Sequence, residues 1–471
     1  MKRLIDQMLL WAILCIFCLG FSGPALADDA SSVTSGAAVL ARSSDYSVYS
    51  HALITVTESG GARSLIGQDL NPTADDTALA SHGEYFYRLG RTGANYVSKY
   101  ALQAPSSPLW QFSAASGGDP NPHDLVFASA NRAFLLMYEL TKAWIVNPSV
   151  GADEEDEFKT GELDLSAYVD GDGIPEMTSG LVVDGKLFVV MQRLDRNAYW
   201  DPANPAYVAV FDAASGEEID TGKGGPGLGG GTLKGIRLDG IQDESGTSMN
   251  FRNPEVIQYL SETGLIYVLA AGPMFPAYSA NGYTYGILSI NPSTYETKVV
   301  VPAGTAASHA FNSIFAMAIS SAEKGYFIDY TGYDNASSSG VCNLYSFNPT
   351  TGETSSDPIP GLSGRDFFEV NDVLRRNDER RDLLPYFNSK DLSGFRTGLA
   401  VDKHGLVWVG DASTNQAAII DPDTDAVEQL ISMNLKPIGF VFAETSSAIF
   451  ISGASGGNDN QGCFIGGLFQ P

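Results

Sequence analysis

Apolar residues in this chain come in short runs, bounded by turn residues and almost never spaced at a helical period. The sharpest example starts at Gly398–Asp402 (GLAVD). A Lys-His-Gly turn follows, then Leu406–Val409 (LVWV), a loop, and Ala417–Asp421 (AAIID). Runs this short suit strands, not helices, and the Gly, Asp and Pro between them supply turns. The same order of runs recurs. It is Ala316–Ile319, Gly325–Ile328 and Asn343–Asn348 in one stretch, and Val256–Tyr259, Leu265–Val268 and Gly286–Asn291 in another. It is Gly180–Val183, Lys186–Val190 and Tyr207–Asp212 in a third, and Asp124–Phe127, Ala133–Met137 and Ala143–Asn147 in a fourth. A weaker first copy is Thr77–Ala80, Glu84–Tyr87 and Tyr96–Tyr100, and the last is Gly439–Phe442, Ala448–Ile451 and Cys463–Phe469. Several third runs close on Asn-Pro or Asp-Pro.

Seven such units predict an all-β, seven-bladed β-propeller spanning residues 45–471 as one domain. One unit cannot bury both faces of a small sheet. Stacked radially, each sheet covers its neighbours and few edges stay open. Unequal spacing between units is tolerated, because long surface loops cost little. The run Ala52–Thr57 precedes the first unit and is expected to close the ring as the outermost strand of the last blade. The one departure from β patterning is the charge-rich Phe367–Leu384, expected to form a short inserted helix.

Composition adds an address and removes some partners. Residues 1–27 read as a secretory signal peptide: Lys2 and Arg3, an apolar core from Met8 to Phe21, and Ala25-Leu26-Ala27 as the cleavage signal. Residues 28–44 are expected to be a flexible N-terminus. No later stretch has the length of a membrane span, so a secreted protein, periplasmic or extracellular and monomeric, is expected. The net charge of −27 argues against nucleic acid or an anionic membrane as a partner. Cys342 and Cys463 remain after signal removal. Export favours a disulfide, but equivalent positions two blades apart lie too far apart for one, so both states stay open.

The copy running through Val407–Gly410 and Asn415 to Ile419–Thr424 resembles the repeat of surface-protein propellers, where a Tyr-Val-Thr-Asn strand precedes a Val-Ile-Asp strand and a Thr-Gly turn. It is also similar to NHL and lactonase-like propellers. The resemblance implies two functional classes. One is a binding or scaffold module of the cell envelope, meeting a protein, a glycan or a small ligand. The other is a hydrolase or lyase with a divalent metal at the channel mouth. Fold alone does not choose between them.

In a propeller the first residues of each inner strand ring one mouth of the channel. Here those positions are Asp75 and Asp76, His123 and Asp124, Glu176, Asn253 and Glu255, Asn312, Arg396 and Lys436. Oxygen donors such as Glu176, Glu255 and Asn312 suit Ca²⁺ or Mg²⁺, a carboxylate suits a general base, and Arg396 suits an anion. Gln192–Arg196 follows the next strand and should reach the same face, where a local Arg–Asp salt bridge is the plainer expectation. A wet polar rim is expected at any channel mouth, with or without catalysis.

The remaining motifs read as structure. Asp170–Gly173 (DGDG) lacks the late Glu of a full calcium loop and predicts a tight turn into the third blade. Asp421, Asp423 and Asp425 occupy an inter-strand turn, and Asp153–Asp156 predicts a solvated insertion. Gly224–Gly231 lacks the Lys-Ser/Thr of a phosphate loop, and no Gly-x-Ser-x-Gly occurs.

Overall fold

A computed structural model describes residues 33–445 except 199, 229, 273–283, 303, 306–307, 312–313, 335–338, 366 and 368–397. It contains seven four-stranded antiparallel sheets. Their inner strands are Thr77–His82, Pro122–Ser129, Met177–Val183, Pro254–Leu260, Ile314–Ile319, Leu399–Val401 and Lys436–Glu444, in blades 1 to 7. Each inner strand contacts the next, and the seventh contacts the first, so the ring is closed. The expected seven-bladed propeller is the observed fold.

Residues of the second strands explain the packing. Arg132–Met137 (RAFLLM), Lys186–Met191 (KLFVVM) and Leu265–Ala270 (LIYVLA) are buried on both faces after their first residue. They lie inside a sheet that is itself sandwiched between blades, so a continuous apolar run replaces alternation. The core is accordingly a ring of inter-blade layers. Val190, Val208 and Val210 of blade 3 meet Ile266, Val268 and Leu288 of blade 4. Trp408 of blade 6 sits edge-on to Phe440 and Phe442 of blade 7, with ring centroids 5.8 and 5.6 Å away. Each such buried side chain contributes about 2 kcal/mol. Near the axis the blades approach so closely that a Cβ on Gly410 would stand 2.3 Å from the Pro437 carbonyl oxygen.

The fourth, outermost strands escape the sequence pattern. Trp110–Ser113 alternates buried and exposed, and Ala426–Ser432 (AVEQLIS) is mostly half-buried or exposed. Such edge strands carry polar residues because one face and one edge meet water.

Ring closure differs in detail from expectation. Among the described residues, blade 7 takes its inner strand, Lys436–Glu444, from the C-terminal side and three strands from the N-terminal side. Residues Ala52–Thr57 do not form the outermost strand. They fall largely within Tyr49–Thr55, the third strand from the axis, and Leu65–Thr73 lies outside it. The second strand is Ser35–Arg42, buried along its whole length and paired with 436–444. The propeller thus begins inside the segment expected to be flexible (28–44), because SGAAVLAR is a small, apolar run that fills the slot next to the inner strand. The runs Ala448–Ile451 and Cys463–Phe469, the helix expected at 367–384 past Phe367, and Cys463 with the Cys342–Cys463 pair lie outside the described residues. Cys342 itself is buried in blade 5.

Turns that close third strands share a side-chain acceptor at their head, in the Asn-Pro turns at 291 and 348 and in the Asp212-Ala213 turn alike. Oδ1 of Asn291 accepts the Ser293 and Thr294 amides, Asn348 those of Thr350 and Thr351, and Asp212 those of Ala214 and Ser215. A short side-chain acceptor two residues before the turn amides is what this geometry requires. The turns also stitch blades together. Lys186 Nζ donates to the Pro292 carbonyl at 2.9 Å, Arg132 Nε to Ala213 at 2.6 Å, and Tyr326 Oη to Asp425 at 2.6 Å. The Asp421–Asp425 carboxylates are thus turn and inter-blade elements. Asp153–Asp156 ends in one helical turn, Glu155–Phe158, whose acidic residues are exposed.

Candidate functional site

Antiparallel order places two kinds of connection at the end of the channel where inner strands begin: those joining successive blades, and those joining second to third strands. The inner strands begin with a shared irregularity. Asn121, Glu176 and Asn253 have φ of +51°, +49° and +51°, and a bulge follows each, at Pro122/Asp124, Met177/Ser179 and Pro254/Val256. Each carbonyl receives the amide just past its own second strand: Tyr138 to Asn121 at 3.1 Å, Gln192 to Glu176 at 3.1 Å, Ala271 to Asn253 at 2.9 Å. Asn tolerates this left-handed conformation. A glutamate there carries strain of about 1–2 kcal/mol.

Three blades are joined by one network at this mouth. Tyr138 of blade 2 donates its hydroxyl to Gln192 Oε1 at 2.6 Å. Gln192 of blade 3 donates Nε2 to Asn253 Oδ1 at 2.6 Å and to Glu255 Oε1 at 2.8 Å, both in blade 4. His123 stacks on Tyr138 at 4.7 Å, and its Nδ1 meets the Thr178 carbonyl at 2.7 Å. Asp124 accepts the Leu125 amide at 2.9 Å and the Gly180 amide of the next blade at 3.1 Å. Burial, then the nearby Glu176, pushes the Tyr138 phenol well above its ordinary pKa.

Glu176 heads a second group. It is fully buried, and its carboxylate accepts Arg196 Nε at 2.8 Å and the Leu194 amide at 3.2 Å. Arg196 also pairs with Glu139 and lies 3.8 Å from Asp172. Burial pushes Glu176 up to about 9 against the pull of Arg196, with Asp172 and Asp170 adding to the rise. Asp170 rises to about 7, first by burial and then through Asp172. The Asp170–Gly173 segment is the expected turn: Asp170 accepts the Asp172 amide and Asp172 the Ile174 amide.

The two groups border the axial channel differently. A cavity of about 220 Å³ on the axis is lined by His123, Asp124, Ser179 and Glu255, with apolar residues such as Leu79, Ile257, Met317 and Phe440. Glu176 is not among its walls. Asp76 is taken by Arg91 at 3.3 Å, and Asp75 accepts the Thr73 hydroxyl at 2.8 Å. Lys436 opens the inner strand of blade 7 opposite Arg42. Asn312 and Arg396 lie outside the described residues. Among the described residues no group of three or more His, Cys, Asp or Glu side chains is placed to hold a metal ion. Of the proposed oxygen donors, Glu255 faces the cavity with Gln192 on it, and Glu176 is engaged by Arg196.

Sequence reasoning missed Asn121, Tyr138 and Glu139. A signal for Asn121 exists: Asn121-Pro122-His123 and Asn253-Pro254-Glu255 share a pattern at the same place in two blades. Nothing local marks Tyr138, which becomes a mouth residue only because its strand ends there.

No protein-family profile matches the chain, and no curated protein matches its sequence. Solved structures do match in shape. The "putative 6-phosphogluconolactonase" from Bacteroides fragilis aligns with a TM-score of 0.50 and 10% identity, over 89% of this chain and 99% of that one. A structural-genomics protein from Lactobacillus plantarum aligns with a TM-score of 0.52 and 10% identity, over 87% of this chain and 99% of that one. At such identity the likeness concerns the fold alone.

Proposed function

We propose that this chain is a non-enzymatic binding or scaffold propeller of the cell envelope, and that it meets its partner with the mouth face. The observation that carries this reading is where the long connections are rooted. The segments 165–176, 192–206, 238–253, 271–285, 303–313 and 366–398 all leave and rejoin strands at the mouth end. At the far end many connections are tight, such as 130–131, 184–185 and 422–425, and the longer ones there are 147–158, 213–235 and 348–362. Loops presented on one face of a rigid scaffold are how such folds recognise partners. The signal-like residues 1–27 support an exported destination.

A photo-crosslinker at the exposed Asn197 of the mouth face, against one at the exposed Ser293 of the far face, tests this on envelope extracts. Capture of the same envelope component from Asn197 and not from Ser293 supports the reading. Equal capture from both, or none from either, overturns it.

A second reading, a divalent-metal-assisted hydrolase or lyase at the mouth, draws on Glu255, which lines the axial cavity, with Glu176 nearby as an acid of raised pKa. Turnover of a lactone or ester panel with Ca²⁺ or Mg²⁺, lost in Glu255→Gln and Glu176→Gln, would replace the first reading with this one.

A further inference from the structure

Four blades build the axial cavity with the same device. The inner strands of blades 2 to 5 each carry a bulge near their start, which sets one residue outside the ladder: His123, Thr178, Glu255 and Ala316. Every one of them, with the residue that follows it, lines the cavity. A bulge bends its strand and re-aims its side chains. Ala316 holds φ at +46° there, in a region that residues other than glycine seldom adopt. The resulting walls are divided by chemistry. Blades 2 to 4 supply the polar side chains, Asp124, Ser179 and Glu255 beside His123. Blades 5 to 7 and blade 1 supply only apolar residues and glycine, with Met317, Phe440 and Leu79 the bulkiest. Among the described residues no lysine or arginine lines the cavity.

That division selects an occupant. Asp124 accepts the Leu125 and Gly180 amides, and Glu255 accepts Gln192. Amide donors hold a carboxylate in place without cancelling its charge. Ser179 Oγ is buried without a hydrogen-bond partner in the protein. Two carboxylates in one wall repel an anion. A wholly apolar molecule would strip water from them and return nothing. A divalent metal needs a fuller set of ligands, and among the described residues no three acidic, His or Cys side chains are placed to hold one. A quaternary ammonium has no N–H to give, and Phe440 is the only phenyl ring in the walls, short of an aromatic cage. A primary ammonium carries three N–H donors and one positive charge, and its hydrocarbon body suits the opposite wall. The volume of about 220 Å³ exceeds the roughly 150 Å³ that holds benzene in an engineered protein cavity, which leaves room for a body of that size and its charged head. The net charge of −27 draws cations toward such a cleft.

We infer that the axial cavity binds a small primary amine as its ammonium ion, the charged head held by Asp124, Glu255 and Ser179 and the hydrocarbon body lying against Leu79, Met317 and Phe440. This inference rests on the binding reading above and names a ligand class for the same face.

The test uses the whole chain, purified after export from its expression host. Benzylamine, cyclohexylamine and butylamine are titrated at neutral pH by calorimetry, against benzyl alcohol, benzoate, glucose and tetramethylammonium. Ligand is taken to about 10 mM, ten times the Kd of a millimolar complex. Expected is one-to-one binding of at least one primary amine, about tenfold or more tighter than its alcohol, because charge-assisted hydrogen bonds are the stronger ones. Added salt should weaken it. Glu255→Gln keeps an acceptor for Gln192 and removes the charge, and should weaken amine binding about tenfold. Ser179→Ala, at a partly exposed position, is the second variant and should weaken it several-fold with the melting temperature unchanged. Glu157→Gln, an exposed acid outside the cavity, should leave it unchanged. The inference is overturned if no amine binds, if benzoate or glucose binds instead, or if the alcohol or tetramethylammonium binds as well as the amine. It is also overturned if Glu255→Gln weakens binding no more than Glu157→Gln does. If Asn197 still captures an envelope component while no amine binds, this inference fails and the binding reading stands. If an amine binds while Asn197 captures nothing, the cavity keeps its ligand and the envelope partner is lost.

Discussion

Replacing Glu176 with Gln should change how stability depends on pH, with a sign that the structure dictates. The Glu176 carboxyl is fully buried and titrates near 9 in the folded protein, against an ordinary value of 4.5. Between those values the folded state keeps a proton that the unfolded chain has released. The slope of unfolding free energy with pH equals 2.303RT times the protons bound unfolded minus those bound folded. Here that difference is negative, so stability is full below about pH 4.5 and lost as pH rises toward 9. One group contributes a slope of about −1.4 kcal/mol per pH unit across this window. Glutamine copies the shape of the protonated acid and cannot titrate. Its amide opposes the Leu194 N–H that the carboxyl accepts, a pH-independent loss of about 1 kcal/mol. Asp170, also raised, titrates in both proteins and cancels in the difference except for the part by which it adds to the rise of Glu176. Glu176→Gln should therefore be slightly less stable than the native chain near pH 5 and more stable at pH 8. From pH 6 to 8 the difference should move by about 3 kcal/mol. Urea unfolding followed by tryptophan fluorescence at pH 5, 6, 7 and 8 measures it. A difference constant across that range would refute the reasoning, and would mean that Arg196 outweighs burial and keeps Glu176 ionised.

Further expectations follow from other contacts. Gln192→Leu strips the donor from Asn253 and Glu255 and the acceptor from Tyr138, and should cost about 2–4 kcal/mol in urea unfolding. Gly410→Ala places a Cβ 2.3 Å from the Pro437 oxygen. It should force blades 6 and 7 apart, losing at least about 2 kcal/mol with a falling Trp408 emission, whereas Gly118→Ala, which meets nothing within 4 Å, should be silent. Asn291→Ala removes the acceptor for two turn amides and should cost about 1 kcal/mol without altering any ligand affinity at the mouth, on the other end of the channel. Ala38→Asp buries a charge in the strand that closes the ring, at a position fully buried in the structure. It should yield a chain that elutes expanded on size exclusion and is cleaved rapidly by protease.

Much of this molecule is written locally. The second strands are continuous apolar runs because both their faces are covered, and that pattern, repeated, predicts blades and their number. The Asn-Pro turns are equally legible, since a short side-chain acceptor at the head of a turn acts over two or three residues. The outermost strands were not legible, because an edge strand such as Ala426–Ser432 is half polar and resembles loop. The closing strand Ser35–Arg42 is hidden in the sequence for another reason. Its small residues look unremarkable until Lys436–Glu444, the far end of the chain, supplies a partner. The mouth shows the same division. His123, Asp124, Asn253 and Glu255 could be placed at one rim because they open inner strands. Their partners Tyr138 and Gln192 come from the ends of second strands in neighbouring blades, and the distances that join them depend on how blades stack. The state of Glu176 is the clearest case. Its sequence gives a carboxylate of ordinary acidity, and only burial beneath the 192–196 connection, beside Arg196 and two further carboxyls, holds its proton at neutral pH. Local chemistry settled the repeat, while groups far apart in the chain acquire their energies only when the ring closes and excludes water between them.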